Sequence, residues 1–205
     1  MLGFWHVFLP GRAGARRTLL LLHGTGGDER DLVPLGRALD PEANLLGVRG
    51  KVLEGTARRW FRRLAEGVFD DADLIRRTQE LAAFIPEAAA RHGFEPQGLV
   101  AVGYSNGANI AASLLLLEPG TLPSAVLFRA MVPLEPPRPP ALHGVRVLIL
   151  AGRRDAVVPA GHPERLAGRL KAAGADVTLR WTDAGHEIRP QDIELARAWL
   201  AGGEG

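Results

Sequence analysis

Apolar runs and helix-spaced apolar residues alternate along this chain, a pattern that predicts a mostly parallel sheet flanked by helices. Thr18–Leu22 is a short apolar run that breaks into His23-Gly24-Thr25-Gly26-Gly27-Asp28, so it reads as a buried strand entering a glycine-rich loop. Comparable runs place strands at Leu45–Val48, Leu99–Val102, Ala125–Phe128, Val145–Leu150 and Val177–Trp181. Trp5–Leu9 is expected as an edge strand, where antiparallel pairing is common.

Helices fit the gaps between these runs. Asp70-Asp71 can cap a segment whose residues Leu74, Ile75, Leu81, Ala82 and Ile85 follow helical spacing, and Gly93 closes it. Pro86 falls inside this pattern and is expected to kink or split the helix. Asn106–Leu117 reads as a helix that stops before Glu118-Pro119-Gly120. Pro163–Ala173 and Pro190–Leu200 begin with proline in the first turn, where its missing N–H costs nothing. Pro133–Gly144 carries Pro133, Pro136, Pro137, Pro139 and Pro140; with strands on both sides it is expected to be a stiff surface connection rather than a domain linker. The whole chain, 1–205, is expected to be one domain.

Composition narrows the function classes. Lysine plus arginine number 25 against 23 aspartate plus glutamate, a net charge of +2. The basic pairs, such as Arg58–Arg59 and Arg153–Arg154, are scattered among acids instead of forming a nucleic-acid-binding stripe. The absence of cysteine excludes disulfides, thiolate metal sites and a cysteine nucleophile. Arg16–Arg17 ahead of Leu19–Leu22 imitates an export signal, but the apolar run is too short for one, and a cytoplasmic location is expected. No run reaches the roughly eighteen apolar residues of a membrane span.

The strongest chemical signal is Gly103-Tyr104-Ser105-Asn106-Gly107, a G-x-S-x-G pattern between a predicted strand and a predicted helix. A serine at such a sharp turn is lifted above the sheet edge, and close chain passage favours glycine at Gly103 and Gly107. The helix that follows points its N-terminus at the place where negative charge develops. A serine hydroxyl needs a base, and the expected order along the chain is serine, acid, histidine. Asp155 lies just beyond the strand Val145–Leu150, and His186 just beyond Val177–Trp181. All three therefore emerge at the carboxyl edge of a parallel sheet. The backbone N–H of Asn106 and of Thr25, in the first glycine-rich loop, are the expected oxyanion donors.

Rival assignments are weaker. Asp183 is expected to shape the histidine loop, and Asp176 starts its strand at the wrong end of the sheet. His23 is expected to be a buried structural histidine, locked between a core strand and a tight turn. His6, His92, His143 and His162 have no ligand spacing, so no metal is expected. The His23–Asp28 loop lacks the lysine of a phosphate-binding Walker sequence.

Taken together, His23-Gly24-Thr25-Gly26-Gly27, Gly103-Tyr104-Ser105-Asn106-Gly107, Gly152-Arg153-Arg154-Asp155 with Val158-Pro159, and Gly185-His186 resemble the carboxylesterase/phospholipase family of α/β-hydrolases. That family includes acyl-protein thioesterases and small bacterial esterases and is related to dienelactone hydrolases. The resemblance runs from Thr18 to Leu200 and implies an α/β-hydrolase fold with no large cap domain. It also implies that Trp60 and Phe61 border the substrate pocket, core packing being the other reading. Asn106 and Thr25 depart from the acyl-protein thioesterase pattern of glutamine and a hydrophobic residue, and Asn106 looks more like the bacterial esterase branch.

The implied activity is carboxylic ester hydrolysis through an acyl-enzyme, without cofactor. His186 acts as base, Asp155 orients it, and activity rises with pH as the histidine loses its proton. The site is expected to be an open cleft walled by Lys51–Phe69 and Val157–His162, with Val157 and Val158 lining it and a homodimer partner as a further source of wall. Small or single-chain acyl esters suit such a cleft. Thioesters and lysophospholipids are the alternative substrates, and a catalytically silent ligand-binding module is the alternative function.

Overall fold

The structure, a computed structural model, describes residues 3–65, 67–136 and 138–202. Among them, seven strands form one sheet: β1 (His6–Leu9), β2 (Thr18–Leu22), β3 (Asn44–Val48), β8 (Leu99–Tyr104), β9 (Ser124–Phe128), β10 (Arg146–Gly152) and β11 (Asp176–Thr182). Two hairpins intervene, β4 (Val52–Glu54) with β5 (Ala57–Arg59), and β6 (Arg63–Ala65) with β7 (Val68–Phe69). The sheet order is β1-β3-β2-β8-β9-β10-β11. Every pair in it is parallel except β1 with β3, which places the antiparallel strand at the edge.

The all-leucine run of β2 shows how an unbroken apolar stretch serves two faces at once. Successive side chains of a strand point to opposite sides. Leu20 and Leu22 thus enter the larger core with Leu46, Ala101 and Leu127, while Leu19 and Leu21 enter the second with Val100, Val126 and Leu148. Burying a leucine contributes about 1.5–3 kcal/mol, so a strand whose every residue is buried is held strongly in register. The larger core is roofed by α2 (Asp71–His92), α3 (Asn106–Leu117) and α4 (His162–Ala172), the second by α1 (Val33–Leu39) and α5 (Pro190–Leu200). Helices on both faces of a mostly parallel sheet, with no large cap, make this an α/β-hydrolase fold.

Helix α2 departs from expectation in one respect: Pro86 neither ends nor splits it, and the helix runs through to His92. Strong ends and a long buried stripe outweigh the one hydrogen bond that proline removes. Asp70 caps the N-terminus by accepting the Asp73 N–H at 3.1 Å, Gly93 closes the C-terminus in the left-handed conformation, and Leu74, Leu81, Phe84, Ile85 and Ala88 are buried. The proline-rich connection joins β9 to β10, which pair in parallel, so it links neighbours within one sheet. Pro137 lies outside the described residues. Among the described residues, no helix is long and apolar enough to cross a membrane.

Candidate active site

Strand β8 delivers Ser105 to the carboxyl edge of the sheet, and the turn into α3 is as tight as the two flanking glycines suggest. Ser105 has φ 52° and ψ −115°, a left-handed conformation that costs a non-glycine residue of order 1–3 kcal/mol. The surroundings enforce it. The Ser105 N–H donates to the Phe128 carbonyl at 2.9 Å, and the Ser105 carbonyl accepts the Asn109 N–H at 3.0 Å. A Cβ on Gly107 would lie 1.8 Å from the Leu22 carbonyl oxygen, and one on Gly103 would lie 2.5 Å from that of Gly107. Glycine at these positions lets α3 press against the ends of β2 and β8.

The loops after β10 and β11 bring Asp155 and His186 to the same place. His186 Nε2 lies 2.8 Å from Ser105 Oγ, and His186 Nδ1 lies 2.9 Å from Asp155 Oδ2. Asp155 is turned toward the ring because its other oxygen, Oδ1, accepts the Val157 and Val158 N–H groups at 2.8 and 3.0 Å. With a carboxylate on Nδ1, that nitrogen carries the proton and Nε2 is left to accept from the serine hydroxyl. Tyr104 supports the histidine from beneath, its hydroxyl donating to the His186 carbonyl at 3.2 Å.

Neighbouring acids are otherwise engaged. Asp183 is exposed and paired with Arg154, and Asp176 begins β11 at the far edge. Glu187 is held down to about 2, first by its own N–H and then by Arg189, and its carboxylate pairs with Arg189 at 2.6 Å instead of with His186.

Sequence reasoning passed over the residue that anchors the histidine loop. Arg129 follows the buried strand β9, has φ 57° and is 1% exposed. Its Nε donates to the Gly185 carbonyl at 2.9 Å and its Nη2 to the Glu187 carbonyl at 2.7 Å, so it grips the chain on both sides of His186. The guanidinium also forms a two-pronged ion pair with buried Asp192, at 2.9 and 2.6 Å, and Asp192 accepts in addition from Thr182 and the Arg189 N–H. A charged residue directly after a wholly apolar strand, at the edge carrying the chemistry, was the available signal.

Ser105 opens into a small cavity of about 60 Å³ lined by Thr25, Arg59, Arg63, Gly67, Phe69, Asn106, Asn109, Met131 and Val157. Val158 is elsewhere, on a neighbouring cavity of about 210 Å³ beside Arg129 and Asp155. Trp60 and Phe61 do not line the cavity; they are 1% and 0% exposed and belong to the larger core. An aromatic pair buries more surface inside than at a rim, and Trp60 is pinned there by two hydrogen bonds. Its backbone N–H donates to Asn106 Oδ1 at 2.8 Å and its Nε1 to the His23 carbonyl at 2.9 Å. The adjacent hairpins supply the wall instead, through Arg59, Arg63 and Phe69. Among the described residues, the backbone N–H groups of Thr25 and Asn106 donate to no protein acceptor.

His23 is 1% exposed and stitches the glycine-rich loop to its neighbour. Its Nδ1–H donates to the Gly24 carbonyl at 2.7 Å and its Nε2 accepts the Gly50 N–H at 3.0 Å. Burial lowers its pKa against the opposing pull of the Gly24 carbonyl and nearby acids. A histidine whose folded pKa is depressed favours folding while neutral, so this stability is complete above the unfolded value of about 6.5 and is lost as pH falls below it. His92 and His162, also lowered by burial first, act with the same sign. Melting temperatures measured from pH 7.5 to 5.5 should therefore decline, and less steeply in His23→Gln; an equal slope in the variant would contradict this role.

His6 and His92, far apart in sequence, meet with their Nε2 atoms 3.0 Å apart. Among the described residues, however, no group of three or more His, Asp or Glu side chains gathers as a metal site would require.

Comparison with known proteins adds an independent line. The profile of the phospholipase/carboxylesterase family matches residues 51–202. The chain is 47% identical over 194 residues to MhqD of Bacillus subtilis (strain 168), which is named only as a hydrolase, covering 95% of this chain and 96% of that one. The crystal structure of a Bacillus cereus carboxylesterase superposes with a TM-score of 0.94 at 46% identity, covering 98% of this chain and 94% of the other. A Mesorhizobium loti carboxylesterase superposes with a TM-score of 0.93 at 39% identity, covering 98% and 96%.

Proposed function

The chain belongs to the phospholipase/carboxylesterase family and is a hydrolase of the esterase type, and from that premise we propose that it cleaves carboxylic esters through an acyl-enzyme formed on Ser105. The observation that carries this reading is the unbroken chain of hydrogen bonds from Ser105 Oγ through His186 to Asp155, with links of 2.8 and 2.9 Å.

In the first half-reaction His186 Nε2 takes the hydroxyl proton as Ser105 Oγ bonds to the substrate carbonyl carbon. The buried Asp155 carboxylate stabilises the imidazolium that results. The N–H groups of Thr25 and Asn106, which have no acceptor among the described residues, suit the oxyanion, and the N-terminus of α3 adds a favourable dipole. Collapse of the tetrahedral intermediate breaks the bond to the alcohol oxygen, which leaves with the proton from His186. Water then attacks the acyl-serine, giving its proton to His186, and Ser105 recovers that proton as the carboxylic acid departs.

Val157, Phe69 and Met131 give the small cavity its apolar part, which suits a short acyl group better than a long lipid chain.

Stopped-flow hydrolysis of p-nitrophenyl butyrate tests the reading. A burst of p-nitrophenol approaching one equivalent per chain, ahead of a slower steady state, is expected where deacylation limits turnover. Absence of ester turnover across the neutral to mildly alkaline range would contradict it.

A further inference from the structure

Among the described residues, most of the cavity wall around Ser105 is apolar or neutral, and its charged members are two arginines, Arg59 and Arg63. Arg63 is held by Glu54, its Nε and Nη2 reaching that carboxylate at 2.8–3.1 Å. Arg59 is placed differently. It is only 4% exposed, yet it lines the cavity that contains the serine hydroxyl. Its Nε faces the Phe61 carbonyl at 3.3 Å and Glu54 at 3.4 Å, and its Nη1 donates to Thr25 Oγ1 at 3.0 Å. Its Nη2 donates to no described residue.

A guanidinium is always charged and carries five N–H donors in a rigid fork suited to a carboxylate. Arg59 Nη2 is not among the side-chain atoms that are both buried and without a partner, so this edge of the fork still meets solvent and is open to an incoming acceptor. Glu54 offsets only part of the charge, since it also serves Arg63 and is 43% exposed at its side chain. Burial accordingly pulls the Arg59 pKa down, Arg63 adds to this, and Glu54 opposes it.

We infer that Arg59 is a specificity-determining residue, and that the substrates this site handles best are small esters bearing a carboxylate, which pairs with the open edge of the Arg59 guanidinium while the scissile carbonyl meets Ser105. The inference rests on the serine esterase reading above and names its substrate class. The bond to Thr25 links recognition to catalysis, because the residue that binds the anion also braces the loop whose N–H faces the developing oxyanion. Phe69, Met131 and Val157 then pack the short carbon chain between the two polar ends.

Two ethyl esters with acyl chains of equal length separate the possibilities. Ethyl butyrate ends in a methyl group and monoethyl succinate in a carboxylate, and hydrolysis of both can be followed by acid release in a pH-stat. A buried charge-assisted pair is worth about tenfold to a hundredfold in discrimination. The wild-type protein is therefore expected to show kcat/KM for monoethyl succinate at least about tenfold above that for ethyl butyrate. In Arg59→Gln this ratio should collapse toward one, and Arg59→Lys should keep part of it. A wild-type ratio of one or below overturns the inference without recourse to any variant, and so does a ratio that survives in a folded Arg59→Gln. Turnover of ethyl butyrate without a preference for the charged ester removes this inference alone. Failure to hydrolyse either ester removes the serine esterase reading and this inference with it.

Discussion

Replacing Arg129 with methionine is expected to destabilise the protein by about 3–5 kcal/mol, because the change strands a buried carboxylate without its cation. Asp192 is fully buried and would keep only its bonds from Thr182 Oγ1 and the Arg189 N–H. The carbonyls of Leu150, Gly185 and Glu187 would lose their guanidinium donors at the same time. For a chain of this size the cost corresponds to a fall in melting temperature of roughly 6–20 °C. Function should suffer separately from stability. Gly185 and Glu187 flank His186, and a displacement of about 1 Å in a catalytic group costs on the order of a hundredfold in rate. At temperatures where the variant is folded, kcat for a short ester should drop by about tenfold to a hundredfold, with a smaller change in KM. Arg129→Met combined with Asp192→Leu should recover part of the melting temperature, since the stranded charge is gone, and should leave kcat low. Melting of the single variant within about 2 °C of wild type would show that the pair does not brace this loop.

The same loop illustrates which features were readable in the sequence. His186 and Asp155 were accessible because each follows a strand-like run, fully buried in β10 after its first residue and partly buried in the edge strand β11, whose carboxyl end is the reactive edge. Ser105 was accessible because small residues on both sides are a steric demand of the turn, and Gly107 lies where a single added carbon would overlap Leu22. Arg129 stands in an equivalent strand-end position but bears no familiar pattern, and its partner Asp192 lies in a different helix. Pairing of that kind is set by tertiary packing rather than by sequence spacing.

The segment between Lys51 and Phe69 was the least legible. Its strands are three residues or fewer, too short for a period to emerge, and they form two hairpins where only a cleft-walling loop was expected. Within it the aromatic pair Trp60-Phe61 pointed to the pocket, whereas these side chains complete the core and their neighbours Arg59 and Arg63 face the cavity. Trp60 and Phe61 lie in the bend between β5 and β6, where no strand period fixes which way a side chain faces. Helix α1 is similarly obscure, with seven residues, no side-chain cap and a proline in its first turn. Pro86 misled in the opposite direction: a local rule against proline was overridden by burial along α2.

The largest effect on activity is expected from Ser105→Ala. Removing a nucleophile that works as a unit with its base typically lowers kcat by about four to six orders of magnitude, and the residual rate comes from binding and oxyanion stabilisation alone. Stability should hardly change, because alanine keeps the Cβ and both backbone hydrogen bonds and loses only the hydroxyl's contact with His186. Covalent labelling with a fluorophosphonate, located by mass spectrometry of the peptides, tests this claim most directly. One adduct per chain is expected, on Ser105, with slower labelling in His186→Ala and none at this position in Ser105→Ala, which should also be inactive toward esters. A folded Ser105→Ala protein that still hydrolyses esters at the wild-type rate, or a wild-type protein labelled on another residue with the loss of its activity, would contradict the account.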